Sequence, residues 1–135
     1  VLSGDKIVAE YYLELGPKGL VEFPEEGPNW DRYGPVDAGG DHSLAGGTAA
    51  ALFGLLWNYQ MRSEFFHVDL GDMSTLSGKA PGGGDHKMHG GTSGYSGVCI
   101  DFRYLSHGSE SYRGLSTESN NFDARLNADF FYNAG

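Results

Sequence analysis

The chain has 135 residues, a formal charge of −9, and 39% hydrophobic and 13% aromatic content. That length supports one hydrophobic core and little more, and the aromatic content is too high for a disordered polymer. Nine scattered Lys and Arg residues exclude a nucleic-acid backbone as partner, whereas the acidic surface suits a divalent cation or a basic partner and also serves solubility.

Residues 7–23 read as two short extended runs around Gly16-Pro17-Lys18-Gly19, a turn signal. Residues 24–47 carry prolines at 24, 28 and 35 and several glycines, the composition of a long loop, with Trp30 and Tyr33 pinning it to the body. Thr48 is an acceptable N-cap for a helix in which Leu52, Leu55, Leu56 and Tyr59 recur at helical spacing. Gly54 weakens that helix by roughly 1 kcal/mol relative to Ala unless close packing uses its missing side chain. Phe65–Leu70 alternates, with Phe66, Val68 and Leu70 on the buried face of a strand. Gly71-Asp72-Met73-Ser74 is expected to turn the chain outward into a glycine-rich loop.

A second strand is expected over Val98–Tyr104. Val98, Ile100, Phe102 and Tyr104 would share its core face, leaving Asp101 to face a cleft. Residues 106–121 are polar and read as loop. A last helix starts near Asn121 with Phe122, Leu126 and Phe130 on one stripe and Asp123 in its first turn, where it favours the helix dipole. Without a βαβ rhythm the predicted class is α+β: a small antiparallel sheet flanked by helices, with long Gly-rich loops. No run approaches the ~18 apolar residues of a membrane span.

The chemistry concentrates between residues 85 and 101. His86 and His89 lie three residues apart in a glycine-rich segment without helical pattern, which puts them outside the core. Asp101 follows on the second strand. Imidazole and carboxylate are ordinary zinc ligands, and a catalytic site needs three of them plus an open position. The alternatives are weaker. Gly82-Gly83-Gly84 lacks the Gly-Lys-Ser/Thr ending of a phosphate loop, and Asp69, Asp72 and Asp85 do not have EF-hand spacing. Cys99, the single cysteine, excludes an internal disulfide. Its one basic neighbour, Arg103, does not make it a nucleophile. His42, His67 and His107 read as surface or supporting residues.

The order of these signals resembles the penicillin-insensitive murein endopeptidases, zinc peptidases related to D-Ala-D-Ala peptidases and lysostaphin-type enzymes. The resemblance rests on Tyr33-Gly34, the helix from Thr48, the strand Phe65–Leu70 and Gly71-Asp72-Met73-Ser74. It continues through Pro81-Gly82-Gly83-Gly84, His86-Lys87-Met88-His89, Gly97-Val98-Cys99-Ile100-Asp101 and Phe122-Asp123-Ala124-Arg125. It implies a single peptidase-like domain over 1–135, complete or truncated on its C-terminal side. It also implies a periplasmic or extracellular location, a peptidoglycan peptide or protein partner, and zinc as cofactor. His89 and Asp101 would ligate the zinc, with His86 as an additional ligand or polar group. The sequence departs from the family in three ways. The loop between His89 and Gly97 is long, Cys99 stands where the strand motif has its first acidic residue, and no His-x-His element follows. The resemblance therefore leaves two expectations: an amide-cleaving zinc enzyme, or a non-catalytic interaction domain on the same scaffold.

Overall fold

A computed structural model describes residues 2–3, 6–7, 10, 19–62, 66–84, 86, 89–90 and 96–134. The expected turn at Gly16-Pro17-Lys18 and the start of the strand at Phe65 lie outside those residues. In chain order the elements are β1 (Leu2–Ser3), β2 (Lys6–Ile7), β3 (Leu20–Glu22), β4 (Glu26–Gly27), β5 (Trp30–Arg32) and β6 (Ser43–Ala45). These are followed by α1 (Gly46–Arg62), β7 (Val68–Leu70), a 3-10 turn at Pro81–Gly84 and α2 (Ala124–Ala134). The class is α+β, as the sequence implies.

The strands form three small groups: β1 with β2, β3 with β6, and β4-β5-β7. The expectation of a purely antiparallel sheet is corrected here, because β5 and β7 run parallel, with Trp30 opposite Val68 and Arg32 opposite Leu70. The reason is connectivity. Between β5 and β7 the chain passes through β6 and the whole of α1, the long crossover that a parallel pair requires. The long loop expected over 24–47 is corrected as well, since it contains β4, β5 and β6. β4 and β5 are two or three residues long and fit between the prolines, and β6 is equally short, which is why composition hides them. Gly27 is needed where it stands, because a Cβ there would collide with the Trp30 indole folded over it.

The core is built on α1. Ala49, Leu52, Phe53, Leu56 and Tyr59 are buried along one face, and Phe66, Val68 and Leu70 are buried opposite, as the alternation predicts. Phe53 packs on Phe23 with ring centroids 4.4 Å apart, and Tyr59 meets Phe66 at 4.9 Å and Phe130 of α2 at 5.3 Å. Each such side chain contributes about 1.5–3 kcal/mol through burial. The helix begins at Gly46, so Thr48 lies inside its first turn rather than capping it. In α2 the cap is Asp123, one residue outside the helix, whose Oδ1 accepts the Leu126 N–H at 2.8 Å.

Two further expectations fail. Gly71–Ser74 does not turn outward. Met73 and Ser74 are buried, and the chain continues from β7 alongside β6, with Ser74 bridging Ser43 and its Oγ donating to the Ser43 carbonyl at 2.7 Å. The second strand over Val98–Tyr104 is not continuous either. Residues 96–98 form a turn in which Gly97 has φ +74°, Val98 is 54% exposed, and Tyr104 packs edge-on to Phe122 while remaining partly exposed. Only Ile100 and Phe102 pack against the core. What survives is an extended run tied to β7 and its continuation. The Gly71 N–H donates to the Asp101 carbonyl (2.8 Å), Asp101 N–H to Asp72 O (3.0 Å) and Arg103 N–H to Asp69 O (3.1 Å). That ladder fixes the backbone of Asp101.

Candidate metal centre

Three segments meet at one edge of the β4-β5-β7 sheet: the continuation of β7 carrying Asp72, the loop after the 3-10 turn carrying His86 and His89, and the run carrying Asp101. The 3-10 turn ends at Gly84, and the His89 N–H donates to the His86 carbonyl at 2.9 Å. That short turn sets the two imidazoles near each other, with centroids 6.2 Å apart. His86, His89 and Asp101 each offer one ligand atom, and these atoms lie within 4.8 Å of one another. The sequence-predicted ligand set is therefore brought together by the fold. Asp85, Lys87 and Met88 lie outside the described residues.

His89 Nδ1 lies 3.4 Å from the Cys99 carbonyl and Nε2 lies 3.2 Å from Asp101 Oδ1. In the tautomer protonated at Nδ1, that nitrogen donates to the carbonyl and Nε2 presents its lone pair to Asp101. Two lone pairs facing each other repel unless a proton or a metal cation lies between them. His86 Nδ1 lies 3.0 Å from Asp72 Oδ2, which leaves its Nε2 available as a ligand. A histidine held through one nitrogen by a carbonyl or carboxylate, with the other offered to a metal, is the usual supporting arrangement of zinc sites. The donor set thus fits zinc.

The sequence places both histidines outside the core, and His89 corrects that: its side chain is 5% exposed, against 42% for His86 and 47% for Asp101. A buried ligand with two half-exposed ones gives a centre open on one side. Burial raises the pKa of Asp72, an effect tempered by His86 and reinforced by Asp41, Asp101 and Asp37. Tyr33 is also raised, by burial first and by Asp101 second. Its ring carries the Arg103 guanidinium 3.9 Å from the centroid, and Arg103 in turn binds Asp69 at 2.6 Å. The Cys99 thiol is pushed up by burial and by Asp101, which supports the reading that it is no nucleophile.

Beneath the centre lies an ion pair that composition does not reveal. Asp41 is fully buried and pairs with Arg32, and its Oδ2 accepts the Asp37 N–H at 2.8 Å. His42, His67 and His107 belong elsewhere, beside Asp41 (3.4 Å), Asp31 (3.2 Å) and Asp123 (3.1 Å) respectively. Asp72 and Asp37 are the site residues that sequence reasoning missed. Asp72 stood inside Gly71-Asp72-Met73-Ser74, but only its contact with His86 shows its use.

Comparison with known proteins returns no matching family model, no matching curated protein and no matching solved structure. Among the described residues, no helix is long and apolar enough to cross a membrane.

Proposed function

We propose that this chain carries a zinc centre of the murein-endopeptidase type, formed by His86, His89 and Asp101 and directed at amide bonds of peptidoglycan cross-links. The observation that supports it most is the approach of His89 Nε2 to Asp101 Oδ1 at 3.2 Å while His89 Nδ1 faces the Cys99 carbonyl. A bound zinc would supply a water of lowered pKa and polarise the scissile carbonyl. The protein's part is positional. Cys99 O holds the His89 tautomer, Asp72 orients His86, and the backbone ladder from β7 fixes Asp101. The half-exposed side formed by His86 and Asp101 is where a peptide would approach.

A second reading has its own support. Hydrolysis needs a group that moves protons to the leaving amine, and such help contributes about 10²–10⁴-fold in rate. Among the described residues the three other histidines are engaged with Asp41, Asp31 and Asp123, and none belongs to the group around Asp101. A metal-holding interaction domain without hydrolysis fits that fact. The same preparation tests both readings. Protein purified without chelator should contain near-stoichiometric zinc that is lost in His89→Ala; a metal-free wild type at neutral pH would refute the centre. Digestion of purified cross-linked murein with added zinc then separates enzyme from interaction domain by whether cross-link fragments are released.

A further inference from the structure

His86 belongs to two groups of metal-capable side chains. One is the centre described above. The other comprises Asp37, Asp72 and His86, whose ligand atoms also lie within 4.8 Å of one another. Asp37 comes from the loop after β5, Asp72 from the continuation of β7 and His86 from the far side of the 3-10 turn, so three separate segments converge here as well. We propose that Asp37, Asp72 and His86 form a second divalent-cation site adjoining the first, with the His86 imidazole shared between the two ions. This rests on the reading of His86, His89 and Asp101 as the first site.

Four observations carry it. First, His86 Nδ1 lies 3.0 Å from Asp72 Oδ2. Two donor atoms bound to one zinc at about 2.0–2.2 Å in tetrahedral geometry are separated by roughly 3.3–3.6 Å, so a cation can take the proton's place there with only a small outward shift. Second, an imidazole has two nitrogens and can serve two ions, and Nδ1 of His86 is the one that faces Asp72. Third, Gly82 leaves room beside the Asp37 carboxylate and the His86 ring: a Cβ there would lie 3.3 Å from Asp37 Oδ2 and 3.4 Å from His86 Cδ2. Fourth, charge is in excess. Asp41, Asp101 and Asp37 all bear on Asp72, while Arg32 pairs with Asp41 and stands 4.0 Å from Asp72. One divalent ion leaves part of that negative charge uncompensated, and a second would offset it. Two carboxylates and one imidazole suit zinc or manganese rather than a soft ion.

The second ion displaces the Nδ1 proton to solvent, and no bond to carbon changes. Binding should be stepwise, because the second ion must displace that proton beside an ion already in place. The test is native mass spectrometry of the full chain, stripped with chelator and titrated with zinc, alongside Asp37→Asn and His89→Ala. Asp37 lies on a loop and is only partly buried, so its amide replacement should leave the fold intact, which far-UV circular dichroism checks. Two zinc ions in the wild type and one in Asp37→Asn, retained at the tighter affinity, are expected. One ion in the wild type that disappears in His89→Ala would overturn the second site while leaving the first. Two ions persisting in Asp37→Asn would also overturn it. A wild type that binds no zinc would end both readings.

Discussion

Asn127 ties α2 to the run that carries Asp101, and its removal gives the sharpest test of how this fold is held. The side chain is 3% exposed. Its Oδ1 accepts the Leu105 N–H at 2.8 Å, and its Nδ2 donates to the Leu105 carbonyl and to the Asp123 carbonyl, both at 2.7 Å. Asn127→Ala therefore strands the N–H of Leu105, a residue with no exposed surface, while its carbonyl keeps the Asp123 N–H at 3.2 Å. A buried polar group left without a partner costs about 1–3 kcal/mol. The one stranded N–H gives an expected loss of about 1–3 kcal/mol, a measurable part of the 5–15 kcal/mol typical of a domain. Urea unfolding should show a lower midpoint at unchanged slope. Asn133→Ala is the comparator, since that side chain is exposed and bonds mainly within its own helix; it should cost less than about 0.5 kcal/mol. A loss below about 1 kcal/mol for Asn127→Ala would refute the argument that this amide, rather than ring packing alone, docks α2.

The remaining predictions follow from single positions. Gly54 is exposed on α1 with nothing within 4 Å of where a Cβ would go, so Gly54→Ala should stabilise by about 1 kcal/mol, read as a melting temperature about 3–5 °C higher. An unchanged or lower value would mean the helix uses that glycine. Asp123 has its pKa lowered first by the Leu126 N–H and then by His107. A depressed carboxyl contributes stability above its unfolded pKa of about 3.9 that is lost as pH falls through the folded value. Asp123→Ala should accordingly cost about 0.5–2 kcal/mol at pH 7, and the gap from wild type should close below about pH 4. A gap that is constant with pH would show that the cap works without its charge. A Cβ on Gly71 would run into the Tyr33 hydroxyl end and lie 2.9 Å from Asp101 Cβ. Gly71→Ala should weaken zinc binding about 10–100-fold, the usual effect of disturbing a ligand's support, measured by competition with a chromophoric chelator. Unchanged affinity would show that Asp101 is not held by this contact.

Periodicity was the legible part of this fold. The helical spacing of Leu52, Leu56 and Tyr59 and the alternation of Phe66, Val68 and Leu70 describe faces that the structure buries. The same rule fails at Val98 and Tyr104, because alternation states which side chains share a side and not whether anything covers it. Val98 follows the Gly97 turn, and its side is left open. Strands β4 and β5 escaped because two or three residues are too few to display a period. At the site, His86, His89 and Asp101 could be named from residue type and order. Asp37 and Asp72 could not, since their use depends on a parallel crossover that brings distant loops beside His86.

The burial of His89 decides how the centre should behave. His89 is enclosed, its Nδ1 faces the Cys99 carbonyl, and Nε2 has Asp101 in front of it. Only a proton or a metal ion satisfies both groups, and either must come from the half-exposed side where Asp101 stands. The backbone ladder from β7 prevents Asp101 from retreating, because its N–H and C=O are both engaged with residues 71 and 72. The fold therefore holds two electron-rich groups together at a fixed separation with one open approach. A cation entering between them would need only a small outward shift of the two groups, and the arrangement joins the parallel crossover of the sheet to the metal chemistry proposed for the chain.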